Sequence, residues 1–155
     1  MVQLGTEDRG EILYLEKLDS THLIRIVSEI GGRLPIHCTG LGKAMLAYMP
    51  DSKRNRIIRE KKLNPYTPNT ITNASVLERE LETIRQQGYA IDDGEIMLGL
   101  RCVAAPIFDG KGQVKYALSI SGMQGNLEGE RLEKITKRVV AAAASITKTL
   151  KQTSL

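Results

Sequence analysis

Residues 101 to 121 read RCVAAPIFDGKGQVKYALSIS, two runs of small and β-branched residues on either side of Asp109-Gly110-Lys111-Gly112. The aspartate and glycines punctuate, the flanking runs are strand-length, and the stretch predicts a β-hairpin. With a two-residue loop at Gly110-Lys111, Asp109 faces Gly112, Cys102 faces Ser119 and Ala104 faces Ala117, with Ser121 one pleat further along. Opposed residues share a face and alternate residues return to it. One face therefore carries Cys102, Ala104, Ala117, Ser119 and Ser121. The other carries Val103, Ala105, Ile107, Leu118 and Ile120 and reads as core. The first face, small and weakly polar, permits either close packing of a covering element or a pocket that offers two hydroxyls.

Working outward, Val2 to Thr6 and Glu11 to Leu18 alternate in polarity around the turn Glu7-Asp8-Arg9-Gly10, a second hairpin. His22 to Ser28 reads as a third strand, with Leu23, Arg25 and Val27 on one face and Ile24 and Ile26 on the other. A strand that begins at residue 2 suggests a fragment of a longer protein. Gly31-Gly32 breaks the strand and Pro35 keeps the following stretch extended. A helix starts near Gly40 with Thr39 as N-cap, and Pro50 ends it. Asp51 is expected to cap a basic helix to about Lys61. Asn73 or Thr72 caps another, striped by Val76, Leu77, Leu81 and Ile84 and stopped at Gly88. Tyr89 to Asp93 is a short strand, and Gly94 to Gly99 an irregular bend. Glu128 to Leu150 is the last helix, with Leu132, Ile135, Val139, Ala142 or Ala143, Ile146 and Leu150 as its seam. The order describes an antiparallel sheet with helices, an α+β layout in one domain over residues 1–155.

Composition narrows the function. Hydrophobic residues at 41% and charged residues at 26% are globular values, and with no Trp and one Phe the core is aliphatic. No apolar run approaches the ~18 residues of a membrane span, and no signal peptide opens the chain, so a soluble cytoplasmic protein with no membrane partner is expected. Cys38 and Cys102 are expected as free thiols. The net charge of +4 gathers at Lys53, Arg54, Arg56, Arg59, Lys61 and Lys62. That helix reads either as a solvated face or as a surface for nucleic acid, although no aromatic residues interleave for base stacking.

Gly40-Leu41-Gly42 opens a helix, whose first N–H groups lack partners and favour an anion, and its glycines admit a close approach. It is no nucleotide loop, because His37 and Ala44 stand where a phosphate-binding loop needs Gly and Ser or Thr. Asp92 and Asp93 alternate faces, so at most one points inward. An inward Asp92 would accept a ligand hydroxyl or share a proton with a ligand carboxylate.

The stretches His37-Cys-Thr-Gly-Leu-Gly-Lys-Ala44, Gly88-Tyr-Ala-Ile-Asp-Asp93, Gly99-Leu-Arg-Cys-Val-Ala-Ala-Pro-Ile-Phe-Asp109 and Leu118-Ser-Ile-Ser-Gly122 resemble, in order and spacing, the C-terminal effector-binding domain of IclR-family bacterial transcription regulators. The resemblance covers nearly the whole chain. It implies a GAF-like domain, a central antiparallel sheet with helices packed on it. It also implies a regulator or repressor of transcription, with no cofactor and no catalytic residue. The backbone of Gly40 and Leu41, with Asp92, Cys102, Ser119 and Ser121, would bind the polar end of a small organic acid effector such as a keto, sugar or aromatic acid. Leu23, Ile26, Leu34 and Leu100 match the family's apolar lining. Operator DNA would be bound only through a winged helix-turn-helix domain N-terminal to this chain, in a homodimer or homotetramer.

Three other chemistries compete on residue types. Cys102 as nucleophile, with His37 as base and Asp92 as orienter, would suit a small cysteine hydrolase, although mid-strand is an unusual place for a nucleophile. The Lys53 to Lys62 helix would serve direct nucleic-acid binding. Cys102 beside His37 would offer zinc only two ligands at poor spacing, and no metal is expected.

Overall fold

In the computed structural model, which describes residues 1–19 and 29–153, the first alternating runs form β1 (Val2–Asp8) and β2 (Glu11–Leu18). Arg9 and Gly10 join them with φ of 55° and 78°, the left-handed pair that matches a two-residue turn to the twist of its strands. The third strand expected at His22 to Ser28 lies outside the described residues. β3 (Arg33–Pro35) is a short edge strand beside β2. Then follow α1 (Gly40–Leu46), α2 (Asp51–Glu60), α3 (Ala74–Gln87), β4 (Ala90–Asp93), β5 (Leu100–Phe108), β6 (Val114–Met123) and α4 (Gly129–Thr153).

The strands make one antiparallel sheet in the order β3-β2-β1-β6-β5-β4. β1 therefore sits in the middle, where Met1 and Ser121 exchange backbone hydrogen bonds of 3.1 and 2.9 Å. The α+β fold expected from the order of elements is the one observed.

The second hairpin corrects the expected register. Cys102 faces Ser121 rather than Ser119, and Ser119 faces Ala104. Two irregularities cause the difference. Gly112 takes the left-handed conformation (φ 77°) and lengthens the loop to three residues, closed by Asp109 N–H donating to Gln113 O at 2.9 Å. One residue on, Lys115 is bulged out, since Phe108 pairs with Val114 but Ile107 with Tyr116. A single slip would turn every side chain to the other face; two slips restore it. Cys102, Ala104, Ser119 and Ser121 thus share a face as expected, with partners moved by one pleat.

Helices cover both faces. α1 and α3 pack Leu41, Met45, Leu77, Leu81 and Ile84 against Ile12, Tyr14, Ala104 and Ala117. Each such fully buried Leu or Ile contributes about 1.5–3 kcal/mol relative to exposure. On the opposite face Ile135, Val139, Ala143 and Leu150 of α4 meet Ala105 and Ile107; Ala143, not Ala142, is the buried alanine, and Ile146 is exposed. Of the two expected candidates Asn73, not Thr72, caps α3 through Ser75 and Val76 N–H, and Gly88 ends it with φ 89° as its sequence indicates. The Val76 end of the expected α3 stripe is exposed. Asp51 does not cap α2: Pro50 holds the cap position without a side-chain bond, and Asp51, already helical, reaches Arg54 at 2.9 Å. Its carboxylate satisfies a buried guanidinium instead of the helix N–H groups.

Candidate functional site

The small polar face of the sheet lies under the start of α1 and encloses a cavity of about 160 Å³. Thr39 builds the roof. Its Oγ1 accepts from Gly42 N–H (3.2 Å) and donates to Pro35 O (2.8 Å), fixing the angle at which the chain enters the helix. Gly40 allows the helix to approach: a Cβ there would meet Cys102 Sγ at 2.7 Å and Ala104 Cβ at 3.3 Å. The N–H groups of Gly40 and Leu41, both buried, take no hydrogen-bond partner from the described residues. Such orphan donors favour a negatively charged or carbonyl oxygen.

The floor is drawn from four adjacent strands. Gln3 of β1 pairs with Ser119 of β6, Cys102 of β5 with Ser121 of β6, and Asp92 of β4 with Cys102. Ser119 Oγ and Ser121 Oγ both donate to Gln3 Oε1, at 3.2 and 2.7 Å. Tyr14 and Leu34 complete one wall, Ile96, Met97 and Leu100 the other. Tyr14 is buried, and its hydroxyl makes no hydrogen bond with the described residues.

Asp92 does turn inward and is 1% exposed. Burial pushes its carboxyl up to about 7; the neighbouring Glu95 charge adds to the rise, while the Glu95 N–H bond to Oδ1 (2.7 Å) and Lys43 oppose it. Near neutrality the site therefore holds a carboxyl poised between acid and anion. Beneath it Lys43, fully buried, reaches Glu95 Oε2 and Ile91 O at 2.7 Å and Glu80 Oε1 at 3.1 Å. The cation fixes the carbonyl next to Asp92 and ties the Gly94–Gly99 bend, which carries Ile96 and Met97, to α1. The thiol of Cys102 is pushed up to about 11, first by burial and then by Asp92, so it is an S–H at neutral pH.

Of the residues expected at the site, Gly40, Leu41, Asp92, Cys102, Ser121, Leu34 and Leu100 line the cavity. Ser119, fully buried, sits behind the wall and bonds to Gln3. Leu23 and Ile26 lie outside the described residues. Gln3, Tyr14, Ile96 and Met97 were not legible as site residues; the period of two sets Gln3 on the face opposite Val2 and Leu4 but does not say that this face lines a cavity.

Among the described residues His37 is not brought to Cys102 and Asp92. His37 lines a separate groove with Glu11, Lys61, Lys62, Asn64 and Tyr66, its Nε2 lying 3.0 Å from Asn64 O, and so stands off the cavity that holds Cys102 and Asp92. Among the described residues no three His, Cys, Asp or Glu are grouped for a metal. Half of the basic cluster is matched by carboxylates: Lys53 by Glu7 (2.7 Å), buried Arg54 by Asp51 and Glu78 (2.9 Å each) and Lys61 by Glu11 (3.8 Å). No helix among the described residues is long and apolar enough to cross a membrane.

Comparison with known proteins bears on the family and the fold. A family model described as "Bacterial transcriptional regulator IclR C-terminal" matches residues 1–148. The transcriptional repressor IclR of Escherichia coli (strain K12) is 36% identical over 137 residues, 88% of this chain and 50% of that protein. The crystal structure of Thermotoga maritima IclR superposes with a TM-score of 0.93 at 37% identity, covering 97% of this chain and 61% of that one. The C-terminal domain of the E. coli regulator KdgR superposes with a TM-score of 0.87 at 33% identity, covering 97% and 87%. The chain spans about half the length of the curated relatives it matches. These relatives are regulators of transcription and not enzymes. By family model, sequence and fold, the chain belongs to the IclR family of bacterial transcriptional regulators, as its C-terminal domain.

Proposed function

We propose that this domain is the effector sensor of an IclR-type regulator, binding a small organic acid and thereby changing how the full-length protein holds operator DNA. The observation that carries the reading is the cavity itself: about 160 Å³, with orphan N–H groups above and Asp92, Cys102 and Ser121 below. A cavity near 150 Å³ holds a molecule the size of benzene, which sets the scale of the ligand. A carboxylate suits the donors of Gly40 and Leu41, and Asp92, when protonated, adds one more. DNA would be contacted through a winged helix-turn-helix domain N-terminal to this one, in a cytoplasmic homodimer or homotetramer that represses transcription. The effector must then bind one arrangement of those domains better than another, because equal affinity shifts no equilibrium.

A thermal-shift screen of small keto, hydroxy, sugar and aromatic acids tests this. At least one class should raise the melting temperature, and Ser119→Ala with Ser121→Ala should abolish the response while the unliganded chain still melts cooperatively. A double variant that responds in full would place the ligand elsewhere.

A further inference from the structure

Gln3 enters the cavity wall from β1, the strand that stands beside β6, and is 3% exposed. Its Oε1 accepts two hydrogen bonds, from Ser119 Oγ at 3.2 Å and Ser121 Oγ at 2.7 Å. An amide oxygen offers two lone pairs and a serine hydroxyl one proton. Both lone pairs are therefore occupied, and both serines have spent their protons on Gln3. Ser119 does not reach the cavity, so its part is to hold the amide in place. Ser121 does reach it, beside the Cys102 thiol, and with its proton on Gln3 its oxygen has only lone pairs left to offer a ligand.

We propose that Gln3 is a specificity-determining residue: by engaging the Ser121 proton it makes the floor an acceptor, which selects a ligand hydroxyl over a ligand carbonyl at that position. The inference rests on the organic-acid reading above, and it deepens it by naming the class as small hydroxy acids rather than the corresponding oxo acids. An oxo acid would set its carbonyl oxygen against the Ser121 oxygen, two acceptors without a proton between them. A buried acceptor left unpaired on both sides is enough to discriminate by about tenfold or more.

The test is isothermal titration of the 155-residue chain with matched pairs: glycolate and glyoxylate, lactate and pyruvate, mandelate and phenylglyoxylate. The hydroxy member of the pair that fits should bind at least about tenfold more tightly. Gln3→Met keeps the length of the side chain and removes the acceptor, freeing the Ser121 proton to donate, so the ratio should fall to parity or invert. Loosened packing alone would weaken both members alike and leave the ratio unchanged. Gln3→Val, with a strand-compatible side chain, makes the same prediction if Gln3→Met does not fold. Equal binding of both members overturns the proposal and leaves the organic-acid reading intact. So does a preference for the oxo member, the result expected if the amide were reversed with Nε2 toward the serines. Silence from all six acids overturns the proposal, while the organic-acid reading stands or falls with the wider thermal-shift screen.

Discussion

Lys43 Nζ lies 2.7 Å from Glu95 Oε2, and neither side chain reaches solvent appreciably, at 1% and 7% exposure. The pair joins α1 to the bend that walls the cavity. Breaking a buried pair from one side leaves the other charge stranded. Lys43→Met should therefore cost about 3–5 kcal/mol in urea unfolding, and adding Glu95→Gln should recover a large part of the loss. If Lys43→Met is close to neutral, the pair is not holding the bend.

The approach of α1 to the floor predicts a specific coupling. Gly40→Ala drives a methyl group to within 2.7 Å of Cys102 Sγ, an overpacking expected to cost about 1–3 kcal/mol. Cys102→Ala removes the obstructing sulfur, so the double variant should be more stable than the sum of the two single effects. A double-mutant cycle with no coupling energy would contradict the contact.

Asp92 sets a dependence on pH. Its folded value near 7 lies above its ordinary 3.8, so between about pH 4 and 7 the folded chain keeps a proton that the unfolded chain has released. Stability should therefore fall as pH rises through that window, by up to about 1 kcal/mol per pH unit from this residue, and level off above it. Glu95, also raised by burial, acts in the same direction, so the difference between the wild type and Asp92→Asn isolates Asp92. Affinity for a carboxylate ligand should likewise decline above pH 7 in the wild type and stay flat in Asp92→Asn. Parallel profiles for the two proteins would overturn the assignment.

Both thiols should be slow to react. Burial pushes Cys102 up to about 11 and Cys38 up to about 12, well above the ordinary 9.0. Modification by a disulfide reagent at neutral pH should run at least about a hundredfold slower in the native chain than in denaturant, with no change in His37→Ala. Fast, His37-dependent labelling would return Cys102 to consideration as a nucleophile.

What the sequence disclosed follows from the range of the forces involved. Thr39, Asn73 and Gly88 were legible as helix boundaries because each acts on groups within three or four residues of itself. The shared face of Cys102, Ser119 and Ser121 was legible too, but only because the Gly112 loop and the Lys115 bulge shift the register by one residue each. Neither shift alone is visible in composition. Asp51 has the residue type of a cap, and buried Arg54, recruited by Glu78 on another helix, took it away from that role. Gln3 was beyond reach, since its partners stand 116 and 118 positions later and meet it only once β1 has settled beside β6. Lys43 reads as the tail of a glycine motif until Glu80 and Glu95 arrive from α3 and the bend.

The seam between β1 and β6 has a kinetic consequence. It joins Met1 to Ser121 across 120 positions, a closure that must be completed before its contacts repay the lost chain entropy. The remaining strand pairs join segments much closer in the chain, so this seam carries the largest closure entropy in the sheet. An effector bound as proposed would rest on Gln3 and Ser121, straddle this seam, and lengthen the lifetime of the closed sheet by slowing its opening.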